Sequence, residues 1–374
     1  MEKKVLLFVV QDAIYENDGY KARLEMEMGL LKDYFKFLIF APKIKGKRTP
    51  TFLNEVEFDF FESSSDIKPY FLDYINARNS FVKELSKLNK DTIIVFEGMQ
   101  TASLIYDICE DKGFKYIYDC HGSMPSEIRL YHNSFIGTIY SKILSRIELK
   151  LLSNAEICIT VSNNQYDLWN RNINHITLPM LPSDIFFTEK NDRCEIRKKL
   201  NIKGNERVFV YSGQNQKWQM SEETVRFYKR IEENNKNTFL LILTHDEKAF
   251  EDLISKYRIK KFLIMSVQYN DMPYYLDACD YGFCLRANDM TNIVASPTKV
   301  LEYLARNIRP IITSYVGDFS SMFMKNGFAD VVNIEDTYVI DNKHDDFNGQ
   351  KYVKELKEKI VKSYISSVKA LIDS

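Results

Sequence analysis

The sequence predicts an α/β protein built from two doubly wound, Rossmann-like domains that face each other across a cleft. Three observations carry this expectation. Short runs of β-branched, aromatic and aliphatic residues recur along the chain, separated by longer segments of helical period. The runs are apolar throughout rather than alternating, as strands covered on both faces of a parallel sheet must be. Finally, the pattern restarts after a proline-bearing stretch, LPMLPSDIFF (178–187), in a chain of 374 residues, longer than one core usually grows.

In the first array the strand candidates are VLLFVV (5–10), FKFLIFA (35–41), TIIVF (92–96), KYIYD (115–119) and EICITVS (156–162). Helical spacing fills the intervals near 20–34, 70–89, 101–112 and 139–153. The second array opens with a short basic helix near 192–201. It continues with RVFVYSG (207–213), NTFLLILTH (237–245), KKFLIMSV (260–267), YGFCLR (281–286) and RPIITS (309–314). Helices fit at 221–234, 246–257, 271–279 and 297–307. The last segment, GQKYVKELKEKIVKSYISSVKALIDS, reads as one or two amphipathic helices able to cross back to the first domain. The expected division is therefore 1–180, 181–345 and a helical segment 346–374.

Bulk composition narrows the function. Fifty-one basic and 52 acidic residues give a formal charge of -1, which argues against a general nucleic-acid binder. The six cysteines form no Cys-x-x-Cys pair and mostly sit in apolar runs, which suits a reducing compartment. The N-terminal apolar run, Val5 to Val10, is short and followed by acids, so it reads as a first strand rather than a signal peptide. No run reaches membrane-span length, and the expected location is cytoplasmic.

Open parallel sheets bind ligands beyond the carboxyl ends of their strands. The segment NIVASPTKVLEYLARNIRPIITS (292–314) lies at such a place. Ser296 is a good N-cap and Pro297 a good first helical residue. Lys299 then falls in the first turn, where the helix dipole is already positive. Val300, Leu301, Leu304 and Ile308 make an apolar stripe, with Lys299, Glu302, Tyr303 and Arg306 on the other face. Two readings follow. Free N–H groups with Thr298 and Lys299 suit a phosphate, and Glu302, one turn deeper, suits two vicinal hydroxyls. Alternatively, Lys299 and Glu302 are a solvated i,i+3 pair.

Other strand ends offer weaker candidates. Asp119 and His121 follow the strand 115–119, with Gly122, Pro125 and Glu127 just beyond. Gly19 precedes a helix that carries Lys21 and Arg23 in its first turn. Gly213 and Lys217 follow the strand 207–213. The histidines His132, His175, His245 and His344 have no metal-ligand spacing, and no Asp-x-Asp motif is present, so no metal site is expected. In IYSKILSRIELKLLSN (139–154), Lys142, Arg146 and Lys150 lie opposite Ile143, Leu144, Ile147 and Leu151. That pattern fits a helix resting on an anionic bilayer, and equally a plain surface helix. KIKGKR (43–48) is a second basic spot.

SPTKVLEYLARNIRPIITS, after a strand ending in LR, resembles the nucleotide-binding segment of retaining GT-B glycosyltransferases of the family 4 type, and most of all the branch that builds bacterial surface polysaccharides. The resemblance implies a metal-independent transferase with no cofactor besides a nucleotide-diphosphate sugar as co-substrate, and a saccharide or lipid-linked acceptor. Glu302 would hold the donor ribose. The partner glutamate that the family places eight residues earlier is Val294 here. In VFVYSGQNQKWQ (208–219), Lys217 matches one member of a diphosphate-binding basic pair. The arginine position is Ser212, with Arg286 the nearest substitute in sequence pattern. By the same resemblance Gly213, Ser296, Pro297, Thr298 and Lys299 complete the donor side. Gly19, Arg23, Asp119, His121 and Glu127 fall on the acceptor side, with His121 near the reacting carbon. His121, Lys217 and Glu302 are the residues implied for catalysis, and peripheral contact with the inner membrane surface would follow from a lipid-linked acceptor. The two departures, Val294 and Ser212, leave open a degenerate, non-catalytic partner subunit. A sugar-nucleotide epimerase of the same fold is a further alternative.

Overall fold

The structure, a computed structural model, describes residues 3–11, 19–42, 58–62, 71–131, 134–340 and 348–373. The basic spot 43–48, His132 and His344 lie outside the described residues. The chain divides into two compact units, Met1–Leu178 with Ile360–Ser374, and Pro179–Lys359.

The first unit contains β1 (Lys4–Val9), α1 (Gly19–Leu31), β2 (Phe35–Ala41), β3 (Phe58–Glu62), α2 (Phe71–Leu85), β4 (Ile93–Glu97) and α3 (Met99–Lys112). It continues with β5 (Tyr116–Cys120), α4 (Met124–Tyr131), α5 (Phe135–Asn154), β6 (Ile157–Thr160), α6 (Asn163–Trp169) and β7 (His175–Thr177). Among the described residues the strands form one parallel sheet in the order β3-β2-β1-β4-β5-β6-β7. β4 and β5 are buried at every position. This is why their sequences are apolar without alternation.

The second unit contains α7 (Arg193–Lys199), β8 (Arg207–Ser212), α8 (Ser221–Asn234), β9 (Thr238–Leu243), α9 (Glu247–Tyr257), β10 (Phe262–Met265), α10 (Met272–Leu276) and β11 (Tyr281–Cys284). There follow α11 (Met290–Ile293), α12 (Thr298–Ala305), β12 (Arg309–Ile312), α13 (Gly317–Asn326), β13 (Asp330–Val331) and the start of α14 (Gly349–Asp373). Its parallel sheet runs β10-β9-β8-β11-β12-β13. α8 shows how these helices are specified: Thr224, Val225, Tyr228 and Ile231 recur at helical spacing and turn inward against the sheet.

In each sheet the strand order reverses direction at one place, between β1 and β4 in the first and between β8 and β11 in the second. Such a reversal leaves the loops after the two central strands pointing apart, opening a crevice at the carboxyl ends. Gln11 and Glu97 therefore stand at one switch point, and Ser212, Gly213 and Arg286 at the other.

The expected two α/β arrays are present, and the differences fall on short elements. The strands β3, β7 and β13 and the helices α4, α6, α11 and α13 have no counterpart among the expected elements. The three strands lie at sheet edges or are very short, and α6 and α11 are brief; the pattern misses α4 and α13, although it includes α7 and α10, which are no longer. The C-terminal segment is one helix. Its residues from Ile360 onward belong to the first unit, where the Tyr364 hydroxyl donates to Glu27 Oε2 at 3.0 Å. Among the described residues, no helix is long and apolar enough to cross a membrane. All six cysteines are unpaired, and all but Cys194 are buried.

Candidate functional site

α12 corrects two expectations. The helix begins at Thr298 with Pro297, not Ser296, in the cap position, and no side chain caps it. Pro297 keeps an extended ψ of 113°, so its carbonyl, accepting from Val300 N at 3.2 Å, closes the first turn. The polar face is also not solvated: Glu302, Tyr303 and Arg306 are buried. Tyr303 packs on Gly282 of β11, where a Cβ would come within 2.3 Å of the ring. Its hydroxyl lies 2.8 Å from Ser212 Oγ and accepts from Ser212 N at 3.1 Å. Arg306 donates to Asp277 Oδ1 at 2.8 Å and to the Thr188 carbonyl at 2.9 Å.

Lys299, on the first turn, reaches across to the end of β8. Its amine donates to the Ser212 carbonyl at 2.9 Å and to Gln219 Oε1 at 3.0 Å, and lies 4.6 Å above the Tyr211 ring. Gly213 makes this possible. Its φ is +141°, and a Cβ there would sit 2.5 Å from Gln219 Oε1 and 3.3 Å from the Lys299 amine. Arg286 follows β11 and is 5% exposed; among the described residues its guanidinium donates only to the carbonyl of its own neighbour Leu285, at 3.1 Å. Desolvation, with the positive field of Arg286, pushes the Lys299 amine down to about 7.

The electrostatics distinguish half-buried Lys299 and buried Arg286 from the buried arginines. Arg23, Arg197 and Arg306 are each paired with an aspartate. Among the described residues, neither Lys299 nor Arg286 has a carboxylate within ion-pair distance. Two desolvated cations without an anion form a site that gains most from an anionic ligand. Buried polar atoms without partners lie close by in sequence: Thr291 Oγ1, Asn292 Oδ1 and Ser296 Oγ. Val294, where the resemblance calls for an acid, is fully buried.

Glu302 accepts a hydrogen bond from the Tyr269 hydroxyl at 2.9 Å, and Tyr269 in turn packs on Phe186 at 5.6 Å. Burial pushes the Glu302 carboxyl up to about 7, against the Tyr269 bond and the Lys299 charge. Lys217 stands apart from this cluster, exposed on the single turn Lys217–Gln219. Thr298 is half-buried at the head of α12.

In the first unit a charged cluster forms where β4 and β5 end. The sheet register sets Glu97 beside Asp119. His121 Nε2 lies 2.8 Å from Asp119 Oδ2 and 3.0 Å from Glu97 Oε2. Arg23 lies on α1, as expected, but faces inward rather than to solvent. It is 2% exposed, grips both Asp119 oxygens at 3.1 and 3.0 Å, and also contacts Glu27 and the Leu178 carbonyl. Burial of the helix's inner face turns it there, because α1 presents Arg23, Leu24, Glu27 and Met28 to the sheet. At Asp119 burial is outweighed by the Arg23 guanidinium and His121, which hold its carboxyl well below the usual range. At His121 burial is outweighed by the two carboxylates, which lift its imidazole to about 10. Glu27 and Glu97 are raised, chiefly by desolvation. Within this cluster only His121, with 24% of its side chain exposed, reaches the surface.

Glu97, Asp119 and His121 also offer three donor atoms within 4.8 Å of one another, a set of the kind that can hold a metal ion. Both Asp119 oxygens are, however, already engaged by Arg23. Gly19 opens α1 in free space, and Glu127 sits on the first turn of α4, its Oε1 3.8 Å from where a Gly122 Cβ would be. The sequence reading missed Glu97, Glu27 and Tyr269. Glu97 left a signal, an acid directly ending an apolar run; Tyr269 and Glu27 left none.

Residues 192–356 match the family model of glycosyl transferases group 1, a segment that covers most of the second unit and less than half of the chain. No curated protein matches the sequence. Solved structures match over nearly the whole chain. Sucrose-phosphate synthase from Thermosynechococcus elongatus aligns with a TM-score of 0.78 at 13% identity, covering 99% of this chain and 100% of its own. Alr3699/HepE from Anabaena, in complex with UDP-glucose, gives 0.65 at 13% identity, with 97% and 99% covered. WaaG, a glycosyltransferase involved in lipopolysaccharide biosynthesis, gives 0.63 at 10% identity, with 98% and 94% covered. At such identities the likeness establishes the fold, which is the GT-B architecture of two parallel-sheet α/β units.

Proposed function

We propose that this chain is a glycosyltransferase that moves a sugar from a nucleoside diphosphate to a saccharide or lipid-linked acceptor in bacterial cell-surface polysaccharide synthesis. The reaction retains the anomeric configuration and runs in the cytoplasm without a resident metal. The observation that carries this reading is the pair formed by half-buried Lys299 and buried Arg286, which among the described residues have no carboxylate within ion-pair distance, at the switch point of the second sheet. The group 1 match over the same unit and the UDP-glucose bound by HepE support a nucleotide sugar as the occupant. The part WaaG plays in lipopolysaccharide biosynthesis supports the polysaccharide assignment.

The second unit takes the donor. Glu302, oriented by Tyr269, accepts hydrogen bonds from the ribose hydroxyls. The diphosphate lies against Lys299, Arg286, Gly213 and the N–H groups at the head of α12, with Lys217 free on its turn to close over it. Breaking the bond between the anomeric carbon and the phosphate oxygen leaves positive charge on the sugar and negative charge on the departing diphosphate. Fixed cations aimed at that oxygen stabilise the charge as it develops. The acceptor oxygen attacks the same face, and its proton passes to the leaving diphosphate. His121, held protonated between Asp119 and Glu97, is the first unit's polar contact for the sugar hydroxyls.

A second reading, a non-catalytic transferase-like subunit, is favoured by Val294 and by Ser212, whose hydroxyl is engaged by Tyr303. Calorimetric titration with UDP, GDP, CDP, ADP and dTDP, on the wild type and on Glu302→Ala, tests the site. One nucleotide binding tightly, and at least about tenfold weaker in the variant, is expected for a lost charge-assisted hydrogen bond. No binding by any of them to folded protein removes the donor site. Binding without consumption of any sugar nucleotide across an acceptor screen moves the assignment to the non-catalytic subunit.

A further inference from the structure

We infer that Gln219 is a neutral stand-in for the diphosphate and sets the affinity of the site by competing with the ligand for Lys299. The inference rests on the donor-site reading and adds to it a residue which that reading leaves out. Gln219 closes the single turn Lys217–Gln219 and is half-buried. Its Oε1 accepts from the Lys299 amine at 3.0 Å and lies within reach of the Tyr211 hydroxyl at 3.2 Å. The amine is a donor only, so it orients the carboxamide with its oxygen inward. That oxygen also lies over Gly213, where a Cβ would come within 2.5 Å of it. Gln219 therefore takes up the space that the glycine leaves beside Lys299. An anion bonding the same amine over the same glycine needs that space.

The chemistry of the side chain suits an occupant that can be displaced. A carboxamide accepts a hydrogen bond from the amine without cancelling its charge, so the cation stays available to a stronger partner. A phosphate oxygen carries the charge that the carboxamide lacks, and a bond between two ions is stronger than one to a neutral oxygen. A glutamate would instead neutralise the amine, and a short apolar residue would leave it to water. The turn itself need not move for the exchange. The Tyr211 hydroxyl donates to the Gln214 carbonyl at 2.9 Å, Asn215 N donates to Asp246 Oδ2 at 2.6 Å, and the Ser221 hydroxyl donates to Asn215 Oδ1. These bonds hold the backbone on both sides of residues 216–219, and rotation of the Gln219 side chain is the way out. Lys299 keeps its bond to the Ser212 carbonyl at 2.9 Å throughout. The amine is thus never without a partner, and the apparent affinity for a diphosphate falls with the share of molecules in which Gln219 is seated.

The test is calorimetric titration of the full chain with UDP, GDP, CDP, ADP and dTDP, on the wild type, Gln219→Ala and Gln219→Glu. Gln219→Ala should bind about threefold to tenfold more tightly than the wild type, because the competing state is gone. Gln219→Glu should bind more than about tenfold more weakly, because a seated carboxylate pairs with the amine. A merely structural role for Gln219 would weaken binding in both variants, so the opposite signs identify competition. A second readout uses no nucleotide: acetic anhydride should acetylate Lys299 faster in Gln219→Ala than in the wild type, read by mass spectrometry of the digested chain. Wild-type binding that Gln219→Ala leaves unchanged or weakens would overturn the proposal while the donor site stands, and so would unchanged acetylation. Failure of every nucleotide to bind both the wild type and Gln219→Ala would instead remove the donor site, and the proposal with it.

Discussion

At the scale of single residues, Lys299 concentrates the tension of the second unit. The unfolded chain holds its proton up to about 10.5 and the folded chain only to about 7, because the amine is desolvated beside Arg286. Between those values the unfolded state binds more protons, so stability rises with pH across the window and is lost as pH falls toward 7. Thermal melts of the wild type and Lys299→Met should therefore diverge, the wild type losing ground to the variant as pH is lowered from about 10 to about 7. An anionic ligand reverses the bias by raising the amine's pKa. Nucleotide binding at about pH 8 should take up a proton, and affinity should fall by up to about tenfold per pH unit above that folded-state value. Titrations in two buffers of different ionisation enthalpy would register that uptake, and Lys299→Met should abolish it. Uptake that survives the substitution would assign the proton to another group.

At the scale of elements, α12 is held by its polar side as much as by its apolar stripe. Gly282 lets Tyr303 lie flat against β11, and Tyr303 in turn fixes Ser212 at the end of β8, whose carbonyl receives Lys299. Gly282→Ala should therefore cost about 1–3 kcal/mol by overpacking, measured by chemical denaturation. It should also weaken nucleotide binding, through the displacement of Tyr303. Loss of stability with unchanged affinity would show that Tyr303 does not govern the placement of Ser212 and Lys299. The same chain of contacts explains why a helix expected to be amphipathic is buried nearly all round.

At the scale of the whole molecule, the two units share one chain twice over, since the end of α14 belongs to the first unit. Tyr364, Val368 and Leu371 are buried there, and Tyr364 supplies a hydrogen-bond donor to Glu27, which also contacts Arg23. Deleting 360–374 should destabilise the first unit by several kcal/mol, roughly the sum of lost burial and an unsatisfied carboxyl. Hydrogen exchange should report this as lost protection in α1 and β5, with β8 and β9 unchanged. Equal loss in both units would mean that they unfold as one.

The sequence by itself determined the two arrays and the segment 292–314. The helix at 221–234 and the strand at 35–41 appear with the expected bounds, because apolar period is local and each element declares it within a few residues. Lys299 and Glu302 were legible for the same reason: they share one turn of one helix. Tertiary structure alone decided which charges are buried together. Glu97 and Asp119 are adjacent only through the register of β4 on β5, Arg23 reaches them from α1, and Glu27 meets Tyr364 from the far end of the chain. It also decided that, among the described residues, Arg286 and Lys299 lack the counter-ion that Arg23 and Arg306 have. A charge's partner is chosen by packing across strands distant in sequence, and no linear spacing records that choice.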